Sequence, residues 1–150
     1  MNREINFIVE SILQNSNAGK QRLGQKFALH LGLNPGPRGA DDGIDGSLIR
    51  DGQMIHFQSK LRSVKLDRED ARSYFSDILY HKADISIILS GVGFKNTFKE
   101  RLFGHAGIEN IEIHLLELKD IFEKNENFIK ACAVLPELVY LGEGDDEVEV

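Results

Sequence analysis

The sequence predicts an α/β domain with a mixed β-sheet covered by helices on both faces. Three observations carry this. Apolar stripes at helical spacing alternate along the chain with short runs rich in β-branched residues. Two of those runs flank Asp51-Gly52, the strongest short-range signal for an antiparallel hairpin. The later strands are separated by helices, which implies parallel crossovers beside that hairpin.

The elements follow in order. A first helix is expected over residues 3–13, where Ile5, Ile8, Val9 and Ile12 form an apolar stripe. Residues 15–19 break it. A second helix covers 20–31, with Leu23, Phe27, Ala28 and Leu31 inward and Gly32 as its stop. The loop NPGPRGADDG leads to strands at 44–50 and 53–61. A third helix spans 67–80, capped by Asp67, with Ala71, Tyr74, Phe75, Ile78 and Leu79 on its inner face. The run ISIIL within 84–90 reads as a buried central strand. A short helix at 96–103, a strand at 111–116 and a last helix at 118–133 complete the order.

With 150 residues, the chain suits one domain. Residues 1–142 are expected to form it, with 143–150 an acidic, solvated and disordered tail. At 41% hydrophobic and 28% charged it has the composition of a globular protein, and its size suffices for a core without disulfides. The single cysteine, Cys132, lies in an apolar run and reads as core. No set of Cys and His at ligand spacing suggests structural zinc. No apolar run reaches the roughly 18 residues of a membrane span. The N-terminus MNREINFIVE has no apolar signal core, so a cytoplasmic protein without membrane contact is expected. The net charge of −6 argues against a polyanionic partner until its distribution is considered. The last eight residues carry five acids, and the other 142 hold all 18 basic and 19 acidic residues, a net of −1. The segment from Lys60 to Arg72 is locally basic, and Arg62, Lys65 and Arg68 are its candidate nucleic-acid contacts.

The hairpin implies a geometry. With a two-residue turn, Arg50 faces Gln53, Ser47 faces His56 and Asp45 faces Gln58. Period-two alternation then puts Asp45, Ser47, His56, Gln58 and Lys60 on one face. Asp45 and Gln58 become cross-strand neighbours, with Cβ atoms roughly 5 Å apart. An acid, an amide oxygen and a lysine on one face suit phosphodiester hydrolysis, which needs a hard cation with oxygen ligands. Asp45 would be the charged ligand, Gln58 and the Ser59 carbonyl neutral ligands, and Lys60 the group that positions water or stabilises developing charge. The same residues also fit a polar, solvent-facing hairpin side with no chemistry. His56 reads either as a proton shuttle on that face or as a plain strand residue.

The run GADDGIDGSLIRDGQMIHFQSKL resembles the catalytic hairpin of the PD-(D/E)XK nuclease superfamily, in particular its Mrr-like branch. That pattern is roughly D-x-G-I-D, a strand, then Q-x-K. Asp41, Gly43, Ile44 and Asp45 match its first part, and Gln58, Ser59 and Lys60 its second. The downstream order of helix, buried strand, Gly93-Phe94 turn, short helix and strand is also similar, so the likeness covers about residues 20–122. The resemblance implies a restriction-endonuclease-like fold. It implies an endonuclease that uses Mg²⁺ or Mn²⁺ on nucleic acid, DNA above all, with catalytic residues Asp45, Gln58 and Lys60. A homodimer would be the simplest way to cut both strands of a duplex. One position departs from the pattern. The branch carries a metal-binding glutamate after a Phe in the preceding helix, and here Phe27 is followed by Ala28. Glu10 is the candidate substitute. The competing expectation is a nuclease-fold module that binds nucleic acid or a protein partner without cutting.

Overall fold

The computed structural model describes residues 2–36, 43–139 and 141. The acidic tail and Asp41 lie outside them. Helix α1 (Arg3–Leu13) is capped by Asn2, whose side chain accepts from the Glu4 N–H. Helix α2 (Asn17–His30) starts three residues earlier than expected, because Ser16 caps it through the Gly19 N–H. A two-residue strand β1 (Asn34–Pro35), unforeseen in the sequence, leads to β2 (Gly46–Arg50) and β3 (Gln53–Lys60). Helix α3 (Arg68–Tyr80) begins with a reciprocal capping box between Asp67 and Asp70. Strand β4 (Ile85–Ser90), α4 (Asn96–Phe103) and β5 (Glu112–Glu117) follow. The single last helix expected at 118–133 is two helices, α5 (Leu118–Glu123) and α6 (Glu126–Cys132). Lys124 adopts a left-handed conformation between them, and Asn125 caps the second through the Phe128 N–H.

The sheet is mixed, in the order β1-β2-β3-β4-β5. The hairpin pairs Arg50 with Gln53 and Ser47 with His56, as the Asp-Gly turn requires, and Asp51 and Gly52 take φ of 53° and 79°. β3, β4 and β5 are parallel, with Lys60 beside Ser90 and Ser90 beside Glu117. One face packs Phe57, Ile87, Leu89 and Leu116 against Phe27 and Ala28 of α2, Ile121 of α5 and Phe128 of α6. The other packs Ile88 against Tyr74 and Ile78 of α3 and Phe98 and Leu102 of α4. α1 has no fully buried residue, and Ile8 of the expected stripe is 40% exposed, so that stripe is only partly covered. Among the described residues no helix is long and apolar enough to cross a membrane.

Candidate active site

The topology gathers the chemistry at one end of the sheet. β3, β4 and β5 all finish there, at Lys60, Ser90 and Glu117, and the antiparallel β2 begins there, just after Asp45. In open α/β sheets this carboxyl end of the parallel strands is where ligands bind.

Asp45 is not the cross-strand partner of Gln58, and the expected shared face has to be corrected. Its N–H donates to the Phe57 carbonyl at 2.8 Å, while Gly46 is the residue paired with Phe57. Asp45 and Gly46 therefore both stand opposite Phe57, which is a β-bulge. The extra residue turns the Asp45 side chain away from the register that regular alternation gives. Its Oδ2 accepts from the Ser59 N–H at 2.7 Å and from the Ser59 hydroxyl at 3.3 Å. The carboxylate thus takes the place that a backbone carbonyl of β2 would fill, at the open edge of β3 and under α2. A Cβ on Gly24 of α2 would come 2.5 Å from the Ser59 Oγ and 3.6 Å from the Asp45 Cγ.

This position has a chemical consequence. In an antiparallel ladder closed by Arg50 and Gln53, every second residue of β3 directs both its N–H and its C=O toward β2. Ser59 is one of these, so its carbonyl faces the same edge that Asp45 occupies. Two of the four expected metal ligands, Asp45 and Ser59, are brought together by the bulge.

Gln58 points the other way. It is buried, its Nε2 donates to Asp77 Oδ2 on α3 at 3.0 Å, and its Oε1 has no hydrogen-bond donor among the described residues. Asp77 is a site residue the sequence reading missed. The signal was its place three residues after Tyr74, on the sheet-facing side of α3. Gly43 covers the pair with φ of +74°, and a Cβ there would lie 2.2 Å from the Asp77 Cγ. Only glycine fits on both counts.

His56 is fully buried and belongs to a closed network, not to an open face. Its Nε2 lies 2.6 Å from the Gly43 carbonyl, which can only accept, so Nε2 carries the proton. Its Nδ1 then accepts from the Ser86 hydroxyl at 2.8 Å, and the Ser86 Oγ accepts in turn from the Tyr74 hydroxyl. Burial pushes the His56 pKa down to about 4, against an upward pull from the Gly43 carbonyl; nearby His81 lowers it further. Burial likewise raises that of Tyr74. A buried neutral histidine held by Gly43 and Ser86 at both ring nitrogens is structural, so the proton-shuttle reading is set aside.

Lys60 is half-buried at the end of β3, and its side chain forms no hydrogen bond or ion pair with the described residues. Arg62, an expected nucleic-acid contact, is instead tied to Asp70 at 2.6 Å. Lys65 and Arg68 are exposed. Glu10, proposed as a metal ligand, is exposed on α1, a helix that packs mainly on α5. Ala28 is fully buried against Gly46, where an added Cβ would come 2.6 Å from the Ala28 Cβ, so the seam leaves no room for a longer side chain. Among the described residues, no three His, Cys, Asp or Glu side chains cluster as a metal-binding group. No protein-family model and no curated protein matches this chain.

The donor set at the β3 edge is all oxygen, one charged and one neutral, which suits a hard divalent cation. The acceptor-only Oε1 of Gln58, on the α3 side of β3, is buried without a donor that would satisfy it.

Proposed function

We propose that this protein is a restriction-endonuclease-like, Mg²⁺- or Mn²⁺-dependent nuclease whose site lies where β2 and β3 diverge. The single observation that carries this is the bulged Asp45, whose carboxylate sits on the Ser59 N–H beside the Ser59 carbonyl. Asp45 and Ser59 would hold the cation, and Gln58 could join them through Oε1 only by turning away from Asp77. The bound metal would polarise the phosphodiester and lower the pKa of the attacking water. Lys60 stands next in sequence to the Ser59 carbonyl with its charge uncommitted. It stabilises the charge that develops on the phosphorus oxygens, or orients the water. The Ser59 N–H and hydroxyl hold the Asp45 carboxylate in place before any ligand arrives.

The test is cleavage of plasmid, branched and single-stranded substrates in Mn²⁺, with affinity measured separately in Ca²⁺. Wild type should cut, and Asp45→Asn and Lys60→Ala should each lose cleavage by at least about 100-fold. Lys60→Ala should retain binding in Ca²⁺. Absence of cleavage on DNA and RNA alike, with Asp45→Asn binding as wild type does, overturns the proposal.

A second reading is a binding module that keeps this architecture without turnover. It is favoured by the engagement of Gln58 with Asp77 and by Ala28 in place of the glutamate of the resembled family.

A further inference from the structure

A sizeable cleft has a lining that does not include Asp45. It has a volume of about 760 Å³ and opens beside the edge strand β5. Its lysines come from four different elements. Lys65 lies in the segment after β3, Lys99 on α4, Lys119 on α5 and Lys130 on α6. All four are exposed. They face two carboxylates, Glu117 and Asp120, which gives the cleft a local charge of +2 in a chain of net −6.

Neither carboxylate cancels that field efficiently. Asp120 is consumed internally: its oxygens accept from the Glu117 N–H, from Asn125 and from Asn127. Glu117 is half-buried, and burial raises its carboxyl pKa. Its nearest lysine contact, Lys119, is 4.0 Å away. Lys65 and Lys99 form no ion pair with the described residues. The loop that carries Lys65 is also fixed in place. The Leu66 N–H donates to the Gly93 carbonyl, and the Lys95 N–H to the Leu66 carbonyl, which ties this segment to the turn lining the cleft.

One wall of the cleft reaches the end of the sheet that holds the candidate active site. Glu117, on its wall, is in register with Ser90 and Lys60 along the same end of the sheet. Two strand spacings separate Glu117 from Lys60, about 10 Å of backbone.

We propose that this cleft binds the sugar-phosphate backbone of a nucleic-acid strand through Lys65, Lys99, Lys119 and Lys130, and leads that strand toward Lys60. Recognition is by phosphate charge and not by base sequence, since ammonium groups read a polyanion without specifying bases. The destination of the strand rests on the nuclease reading above, but binding in the cleft does not.

The test is fluorescence anisotropy of a labelled 20-nucleotide single-stranded DNA in EDTA, at several salt concentrations. Lys99→Glu/Lys130→Glu reverses two exposed charges in the cleft. Arg50→Glu/Lys82→Glu makes the same charge change at the opposite end of the sheet. The cleft variant should bind at least about tenfold more weakly at 50 mM salt and lose about 1.4 from the slope of log K against log salt. The control should change affinity less than about twofold. Inorganic tripolyphosphate should displace the strand only in large excess of phosphate. The proposal is overturned if wild type does not bind the DNA, or if both variants weaken binding equally, so that bulk charge is at work. It is also overturned if tripolyphosphate competes at equal phosphate concentration, because the cleft is then a site for small polyanions. A protein that binds DNA through the cleft and cuts nothing leaves this proposal standing and fails the nuclease. A protein that cuts and is indifferent to Lys99 and Lys130 does the reverse.

Discussion

His56 should make the stability of this protein fall steeply in mild acid. Folded, it is neutral, with its pKa pushed down to about 4 by burial; unfolded, a histidine titrates near 6.5. The sign follows from which state takes the proton first. Between about pH 6.5 and 4 the unfolded chain is protonated at His56 and the folded chain is not. The contribution is therefore complete above about pH 6.5 and is lost as pH falls through that window. A separation of about 2.5 pH units corresponds to about 3 kcal/mol, of which about 2 kcal/mol is gone by pH 5. The loss has a structural reading too. A proton on Nδ1 removes the acceptor for the Ser86 hydroxyl, whose oxygen already accepts from Tyr74. Urea titrations of wild type and His56→Gln at pH 7.5, 6.5, 5.5 and 4.5 separate this contribution from that of the carboxylates. The stability gap between the two should narrow by 2–3 kcal/mol across that range (roughly, from the same linkage). A gap constant to within about 0.5 kcal/mol, or an imidazole that titrates near its ordinary value in the folded protein, refutes the network as drawn.

Gly43→Ala should cost at least about 2 kcal/mol, because both the positive φ and the 2.2 Å approach to Asp77 forbid a side chain. A urea midpoint unchanged from wild type contradicts that packing. Gly24→Ala should destabilise by about 1–3 kcal/mol through contact with the Ser59 hydroxyl, and Ser59→Ala should recover much of the loss. Strict additivity in that double-mutant cycle rules out the contact. Asp77→Ala should cost about 1–3 kcal/mol by leaving the Gln58 amide without its acceptor. If denaturant titration finds no change, Gln58 is not held there.

Much of the fold is legible because its signals are local. The Asp51-Gly52 turn sets the register from Gly46↔Phe57 to Arg50↔Gln53, and Asp67 with Asp70 starts α3. ISIILS reads as a buried strand because β4 is covered on both faces. The failures are tertiary. Nothing in the alternation of β2 reveals that Asp45 and Gly46 share one partner, since a bulge depends on how the incoming chain meets α2 and β3. That single residue moved the acid from the amide of Gln58 to the backbone of Ser59. Asp77 was hidden because a polar residue on an apolar helix face gains meaning only once its neighbour across the sheet is known. The break at Lys124 was overridden by an apolar pattern that continues through both α5 and α6. The basic cleft draws its lysines from four elements spread over residues 65–130, too far apart to form a local signal.

The central claim is that Asp45 and the Ser59 carbonyl form a divalent-cation site at the edge of β3. It is tested most directly by calorimetric titration of Mn²⁺ into wild type, Lys60→Ala and Asp45→Asn, each first confirmed as folded by circular dichroism. Asp45 supplies the only charge in the proposed donor set, so its loss should weaken binding by at least about tenfold. Lys60→Ala should bind as well as wild type or more tightly, because a nearby positive charge is removed. Equal Mn²⁺ binding by Asp45→Asn and wild type would contradict the account.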